Sequence, residues 1–133
     1  MNIDAGRAGD FIAAAALSRM GVQNVISQQP GFDLVAFVPK PIRIEVKSAS
    51  KPASENRRRY SFITSRGTKK KLRLSAEIAD VVCLVALPKR CALFKLIGDI
   101  TGSNTRIGIE EFTPRNETAS WLDVMERLND SPS

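Results

Sequence analysis

The sequence predicts an α/β domain with a mixed central β-sheet flanked by helices. Segments with helical character stand near the two ends of the chain, at residues 7–20 and 117–129. Residues 80–87 are apolar without interruption, which is typical of a central strand covered on both faces. Residues 42–48, I-R-I-E-V-K-S, alternate between apolar and polar side chains, as a strand with one wetter face does. A chain of 133 residues fits one domain, residues 1–133.

The first half of the chain reads as a helix followed by three strands. Residues 7–20 contain a run of alanine, the best helix former, and Gly21 is suited to end the helix. A short strand is predicted at residues 24–28. The nearly continuous apolar run at residues 32–38 predicts the second strand, and the alternating segment described above predicts the third.

A Pro-Lys-Pro connection joins the last two of these strands into a predicted antiparallel hairpin. If residues 39–41 form a three-residue loop, Asp33 stands opposite Lys47 and diagonal to Glu45, with about 7–8 Å between the diagonal Cα atoms. All three side chains then share one face of the sheet. A loop one residue shorter or longer would send the two acids to opposite faces.

The second half of the chain predicts further short strands and a closing helix. Residues 60–64 form a candidate strand inside a basic segment, and residues 71–78 follow as a candidate helix. Residues 91–97 read as an outer strand, and a strand near residues 106–109 interrupts a loop-like stretch. The final helix carries a predicted core-facing stripe at helical spacing, formed by Trp121, Met125 and Leu128.

The amino-acid composition limits the catalytic groups that the protein can use and the cellular compartment that suits it. The chain has no histidine, which excludes histidine-based catalytic triads and most zinc sites. The two cysteines, Cys83 and Cys91, form no C-x-x-C pair and lie in apolar stretches, which favours free thiols and a cytoplasmic location. No apolar run reaches the roughly 20 residues that cross a membrane, and the start of the chain lacks the pattern of a secretion signal.

Positive charge is concentrated in residues 51–73. That segment contains nine basic residues and one acidic residue, whereas the rest of the chain has 11 basic and 13 acidic residues. A concentration of this kind favours a polyanion as the partner. A solvated flexible loop explains the same pattern, and on charge alone both interpretations stay open.

Asp33, Glu45 and Lys47 form the candidate catalytic group. Two carboxylates that converge on one point repel each other unless a cation lies between them, and oxygen ligands suit Mg²⁺ or Mn²⁺. A metal held there would polarise a phosphodiester and lower the pKa of a bound water, with the Lys47 amine beside it. Taken alone, E-V-K is more typical of a solvent-facing strand than of a metal site, so the hypothesis depends on its combination with Asp33, the small-residue helix upstream and the basic segment.

The order of these motifs resembles the PD-(D/E)XK nuclease superfamily, and within it the archaeal Holliday junction resolvases and related small endonucleases. The resemblance runs from about Gly6 to Ile97, with G-R-A-G-D in the first helix, G-F-D-L at the second strand and I-E-V-K-S at the third. Gly31-Phe32-Asp33 replaces the Pro-Asp of the superfamily name. The resemblance implies a restriction-endonuclease-like core.

The same resemblance implies roles for individual residues. Asp33 and Glu45 would bind the catalytic divalent metal, Mg²⁺ or Mn²⁺, together with the backbone carbonyl of Val46, and Lys47 would be the catalytic lysine. Asp10 matches a first-helix glutamate that joins the metal site in resolvase-like members, and is one methylene shorter. The competing explanation for Asp10 is the favourable interaction of an acid in a helix's first turn with the helix dipole.

The predicted function is metal-dependent hydrolysis of DNA, with branched DNA as the first substrate class. Members of this kind usually act as homodimers, which present two sites to two strands, so a homodimer is expected. Basic side chains are predicted to contact the DNA backbone without reading its sequence; they are Arg7, Arg57, Arg58, Arg59, Arg66, Lys69, Lys70 and Lys71.

Two other functions are compatible with the sequence. One is a nucleic-acid-binding protein of the same fold that does not cleave, against which the joint presence of the two acids and the lysine argues. The other is a site-specific homing or restriction-type nuclease, for which the short chain leaves little room for a separate recognition domain. Four apolar residues are either a surface for a partner or ordinary core, namely Phe94, Ile97, Ile107 and Phe112.

Overall fold

The computed structural model describes residues 5–27, 31–66, 72–73 and 79–130. Two helices, α1 and α2, lie near the ends of the chain, and nine strands lie between them in the described residues; the helices are Ala5–Arg19 and Pro114–Asp130. The strands are β1 (Gln23–Ile26), β2 (Leu34–Phe37), β3 (Pro41–Ala49), β4 (Arg59–Ile63), β5 (Ser65–Arg66), β6 (Leu72–Arg73), β7 (Val81–Ala86), β8 (Cys91–Leu96) and β9 (Asn104–Gly108).

Five of the strands form the central sheet in the order β1-β2-β3-β7-β8. Strands β3 and β7 pair in parallel, whereas β1 with β2, β2 with β3 and β7 with β8 pair antiparallel. The remaining strands form two small antiparallel pairs, β4 with β9 and β5 with β6. The predicted α/β class with a mixed central sheet flanked by helices is therefore confirmed, and both helices pack on the same face of the sheet.

Helix α1 packs closely on one face of the sheet because its small residues allow it. Ala13 and Ala16 are fully buried there against Ile44 of β3 and Cys83 of β7. At Gly9 the contact is so close that a Cβ atom would collide with the side chain of Ser48. The Ala-rich segment of the sequence thus forms the helix that was predicted, and its smallest residue touches the strand that carries the candidate site.

The final helix completes the same layer. Trp121 is 3 % exposed and packs edge-on against Phe94 of β8, with ring centroids 5.1 Å apart. Met125 and Leu128 pack partly buried against the same cluster, which confirms the predicted stripe. No helix in the described part of the chain is long and apolar enough to span a membrane.

The opposite face of β7 and β8 is covered by the small β4–β9 sheet and a 3-10 turn. Tyr60 and Phe62 of β4 pack there with Phe112, whose ring stands edge-on to Tyr60 at 5.4 Å between centroids. Every residue of β7 is buried, as predicted for a central strand. The four apolar residues of uncertain role belong to the core, because Phe94, Ile97 and Phe112 are buried and Ile107 packs partly buried against them.

The hairpin register differs from the prediction by two residues. Phe37 pairs with Pro41 and Leu34 with Ile44, so the three-residue loop is Val38-Pro39-Lys40 rather than residues 39–41. Proline has no N–H to contribute to a ladder, but it is tolerated as the first residue of a strand, which is the place of Pro41. The ladder ends at the pair Leu34–Ile44, and the Asp33 N–H before it donates to Ile44 O, so Asp33 does not stand opposite Lys47 as predicted.

The candidate helix at residues 71–78 is not supported where the structure describes it. Leu72–Arg73 forms β6 and pairs with Ser65–Arg66, so these two residues are extended rather than helical. The other residues of that segment lie outside the described residues. The strand predicted near residues 106–109 is confirmed as β9, which begins two residues earlier at Asn104.

The two cysteines are structural. Cys83 faces the helical layer and Cys91 faces the opposite layer, so their thiols lie on different sides of the sheet. Burial raises the pKa of Cys91 to about 11, and burial raises the pKa of Cys83 as well. Both thiols are therefore protonated at neutral pH, whereas a nucleophilic cysteine needs the thiolate.

Candidate active site

Strand β3 carries a row of three charged side chains on one face. Ile44 and Val46 point into the helical layer, so by strand alternation Arg43, Glu45 and Lys47 point to the other side. Lys47 Nζ lies 3.3 Å from Glu45 Oε1. Glu45 is only 8 % exposed, and a carboxylate that deep in a protein requires a cation or hydrogen-bond donors beside it.

Asp33 reaches the same part of β3 from the start of β2. Its Oδ2 atom accepts a hydrogen bond of 2.7 Å from the backbone N–H of Val46. Its own backbone N–H donates to Ile44 O at 2.8 Å. The backbone and the carboxylate of Asp33 are thus both attached to β3, on either side of Glu45.

The geometry also defines the direction of the Val46 carbonyl. In an extended strand the N–H and C=O of one residue point to the same edge, and the Val46 N–H points at Asp33. The ladder between β2 and β3 stops at the pair Leu34–Ile44. The Val46 carbonyl is therefore turned towards an edge of β3 that no strand of the described residues occupies beyond Ile44, beside the Asp33 carboxylate.

Asp10 lies in α1 on the helical side of the sheet. Its neighbour Gly9 contacts Ser48 and Val46, so Asp10 lies close to the end of β3 that bears the site. Asp10 and Asp33 both contribute to raising the pKa of Cys83, after its burial and the more influential charge of Glu117. Among the described residues, no three acidic or thiol side chains are grouped as a preformed metal site, so the structure does not bring Asp10 together with both other acids.

The site lies where a covered half of the sheet meets an open half. The face that bears Glu45 is buried over β7 and β8 by the β4–β9 layer. Over β1 and β2 the described residues leave it open, since Val25 is 52 % and Phe37 39 % exposed. The Lys47 side chain is 24 % exposed, which gives the buried carboxylate beside it access to solvent at this boundary.

The same architecture occurs in a solved nuclease structure. The fold resembles that of a bacterial homing endonuclease. That structure, "The structure of a bacterial homing endonuclease: I-Ssp6803I", matches with a TM-score of 0.73 and 14 % sequence identity over 97 % of this chain and 97 % of that one. No protein-family profile and no curated protein sequence matches the chain. The likeness thus establishes a shared fold along nearly the whole of both chains.

The predicted DNA-contacting residues fall into two groups. Arg57, Arg58 and Arg59 are exposed in the stretch between β3 and β4 and at the start of β4. Arg7 is exposed in α1 and lies over the Phe11 ring, 5.4 Å from its centroid. The side chain of Arg66 is not among those described, and Lys69, Lys70 and Lys71 lie outside the described residues altogether.

One charged pair near the site was missed by the sequence analysis. Arg43 Nη2 lies 3.1 Å from Asp80 Oδ1, and the Arg43 backbone N–H and Nε both donate to Asp80 Oδ2. This hydrogen bonding raises the pKa of Arg43. Because Asp80 precedes β7, the pair fixes the beginning of β7 beside β3. The alternation of β3 places Arg43 in the row with Glu45, but nothing in the sequence identifies Asp80 as its partner.

Proposed function

We propose that the protein is a divalent-metal-dependent DNA endonuclease of the PD-(D/E)XK type. The observation that supports it most directly is the convergence of Asp33 and the Glu45–Lys47 pair on one short stretch of β3. The nuclease fold supports it as well, because the solved structure that it resembles is called an endonuclease. An endonuclease acting on a polyanion also accounts for the basic stretch that follows β3.

The donor set fits a hard cation. Mg²⁺ takes oxygen ligands and commonly uses one or two carboxylates, leaving its other positions to water and phosphate. Asp33, Glu45 and the Val46 carbonyl would hold it, whereas Asp10 is not grouped with both of these acids among the described residues. Bound there, Mg²⁺ or Mn²⁺ would polarise the phosphodiester and lower the pKa of a coordinated water.

The protein's own residues supply orientation and charge. Lys47 lies against Glu45 in a partly buried position, so its ammonium is held in one place rather than free in solvent. A fixed cation at this point stabilises negative charge that develops on a phosphodiester oxygen. The open half of the sheet face over β1 and β2 leaves room for a nucleic acid to approach it.

Two substrate classes are compatible with this chemistry. Structure-selective cleavage of branched DNA follows from the resemblance to resolvases. Site-specific cleavage is favoured by a different observation, since the homing endonuclease that shares the fold matches along 97 % of its own chain. A chain of this length is therefore no argument against a homing-type enzyme. We propose a homodimer for either class, because two sites serve two strands, and the cytoplasmic location stays a prediction.

Glu45→Gln is the variant that tests the proposal. It removes the carboxylate charge while retaining the shape of the side chain, and we expect metal-dependent cutting to fall by at least about 100-fold while DNA binding persists. The assay uses branched and linear DNA with Mg²⁺ or with a chelator, alongside Glu126→Gln, which changes an exposed acid of α2. Cutting by Glu45→Gln at the wild-type rate would place the chemistry elsewhere.

The same assay separates the non-cleaving alternative. A wild-type protein that binds DNA but never cuts it, with any divalent metal, is a binding protein of this fold. Preference for four-way junctions over linear duplex indicates a resolvase-like substrate, whereas cutting of linear DNA at one sequence indicates the homing-type alternative. Sedimentation of the wild type tests the homodimer.

A further inference from the structure

A small basic cavity lies in the loop that leaves the candidate catalytic strand. It has a volume of about 180 Å³ and is lined by Lys51, Pro52, Ala53, Ser54 and Arg57. Its rim carries two cations and a hydroxyl, and Pro52 and Ala53 form an apolar wall. This composition suits a ligand that combines an anion with a carbon skeleton.

The positive charge of this cavity is not neutralised within the described residues. Glu55 is the single acid of the segment, and it is directed to β9, where Arg106 Nε lies 3.3 Å from its Oε1. A hydrogen bond from its own backbone and the one from Arg106 lower the pKa of Glu55, so it is ionised and engaged elsewhere. Lys51 and Arg57 are exposed, and neither has an acidic partner in the part of the chain that the structure describes.

The loop is ordered by its own hydrogen bonds. The Ala53 N–H donates to Arg59 O at 2.8 Å, which attaches the loop to the first residue of β4. The Arg58 N–H donates to Asn56 Oδ1 at 2.9 Å, a local turn that fixes the backbone next to Arg57. Ala53 is itself buried at 8 % exposure. The two cations thus stand on a fixed backbone, which lowers the entropic cost of binding an anion between them.

The short sequence separation between Lys51 and Lys47 limits the distance between the cavity and the candidate site. Lys51 follows Lys47 by four residues, and four extended residues span at most about 14 Å. Duplex DNA advances about 3.4 Å per nucleotide of a strand. The backbones of Lys47 and Lys51 are therefore separated by no more than the rise of about four nucleotides, and a phosphate held in this cavity would lie a few nucleotides from a phosphodiester at Lys47.

We propose that Lys51, Ser54 and Arg57 bind one backbone phosphodiester of the DNA substrate, with its deoxyribose against Pro52 and Ala53. This inference rests on the proposed function and extends it, because it assigns a second, non-reacting phosphate subsite to the same enzyme. Lys51 and Arg57 act as positioning residues that place the scissile phosphodiester at Glu45 and Lys47.

The salt dependence of DNA binding tests the subsite without requiring cleavage. Each phosphate contact contributes about 0.9 to the slope of log affinity against log salt. Because both cations face the same phosphate, the double variant Lys51→Gln/Arg57→Gln should lower the slope by about that amount, and each single variant by a part of it. Arg115→Gln is the matched control, because Arg115 is exposed in α2 and outside the cavity. Slopes for Arg57→Gln and Lys51→Gln that equal the control slope overturn the subsite.

Single methylphosphonate substitutions in the DNA locate the contact. One position a few nucleotides from the cut should weaken wild-type binding and have little further effect on Lys51→Gln/Arg57→Gln, which is the signature of changes acting on one contact. Effects that add at every position contradict the inference. Inorganic phosphate that binds the wild type and not Arg57→Gln, while the DNA slopes stay equal, assigns the cavity to free phosphate instead.

The outcomes distinguish the subsite from the function that it extends. If the wild type cuts DNA and the cavity variants bind DNA with an unchanged slope, the subsite is wrong and the endonuclease stands. If the cavity variants lower the salt slope as predicted but the wild type never cuts DNA, the subsite stands and the endonuclease is wrong. If the wild type binds no DNA, both are wrong.

Discussion

At the scale of single residues, the candidate site depends on one buried acid and the backbone around it. Glu45 lies under a nearly closed surface, with Lys47 Nζ 3.3 Å from its Oε1. Asp33 uses one carboxylate oxygen to hold the Val46 N–H, which leaves its other oxygen for a different partner. Three consecutive residues of β3 thus supply the Glu45 carboxylate, the Val46 carbonyl and the Lys47 amine. Asp33, across the turn, supplies the second carboxylate.

Gly9 makes the closest approach of α1 to this segment. A Cβ atom at Gly9 would collide with the Ser48 side chain and lie 3.4 Å from Val46 Cγ1, so Gly9→Ala should push α1 away from β3. We expect the free energy of unfolding to fall by about 1–3 kcal/mol, as for an overpacked core. Denaturant unfolding measures it.

Gly98→Ala is the control for that substitution. A Cβ atom at Gly98 meets no heavy atom within 4 Å, so its stability should change by less than about 0.5 kcal/mol. Equal losses in the two variants would mean that the contact between Gly9 and Ser48 is not tight. Because Asp10 follows Gly9 in α1, a displaced helix should also lower any activity that depends on Asp10.

At the scale of elements, α2 protects the outer edge of β8. The Ala92 N–H donates to Glu117 Oε2 at 2.8 Å, and the Phe94 N–H donates to Ser120 Oγ at 3.0 Å. These side chains occupy backbone donors that would otherwise offer an edge to another strand. Glu117 also accepts from Arg19 of α1 at 2.9 Å, so one buried acid connects both helices to the sheet.

Glu117→Ala should destabilise the fold more than Glu117→Gln. The alanine variant leaves the buried Ala92 N–H without its acceptor, which costs about 1–3 kcal/mol. The glutamine variant retains an acceptor and loses only an ion pair whose Arg19 side chain is 60 % exposed, and such pairs contribute about 1 kcal/mol or less. Thermal unfolding of both variants checks the order.

Glu126→Ala provides the reference for these variants, since Glu126 is an exposed acid of the same helix. Its unfolding free energy should change little. If Glu117→Ala were no less stable than Glu126→Ala, the side chain would not be capping the edge of β8.

The same scale shows which parts of the fold are predictable from sequence. The spacing of apolar residues and the local composition were enough to predict α1, β7 and α2, because an element buried on one or both faces has a regular pattern of apolar residues. The register of the hairpin was missed by two residues, because the two prolines that flank Lys40 leave open which of them belongs to the loop. Asp33 still contacts β3 beside Glu45, although it precedes β2 and its N–H donates to Ile44 O instead of following the predicted pairing.

Tertiary partners were not predictable in this way. The Arg43–Asp80 pair joins residues 37 positions apart, and the pairing of Glu55 with Arg106 joins residues 51 positions apart. No local pattern marks either of them. The cavity beside Lys51 depends on the second pair, because only the structure shows that the one acid of the basic segment is directed away from it.

At the scale of the whole molecule, the proposed metal site would couple metal binding to folding. Asp33 belongs to the turn before β2 and Glu45 to β3, so a metal held by both binds the folded chain and not the unfolded one. A ligand present at 100 times its dissociation constant raises the free energy of unfolding by about 2.7 kcal/mol. For a domain of this size that corresponds to a rise in Tm of roughly 10 °C.

Thermal unfolding with increasing Mg²⁺ or Mn²⁺ therefore tests the metal site without DNA. The wild-type Tm should rise with metal concentration and return to its starting value on addition of a chelator. Glu45→Gln should lose most of this rise, because a carboxamide is a weaker ligand for a hard cation than a carboxylate. Glu126→Gln, which removes the same charge from an exposed position of α2, should retain it. A rise of equal size in both variants would show that the metal binds elsewhere on the molecule, and Asp33 and Glu45 would then have no part in holding it.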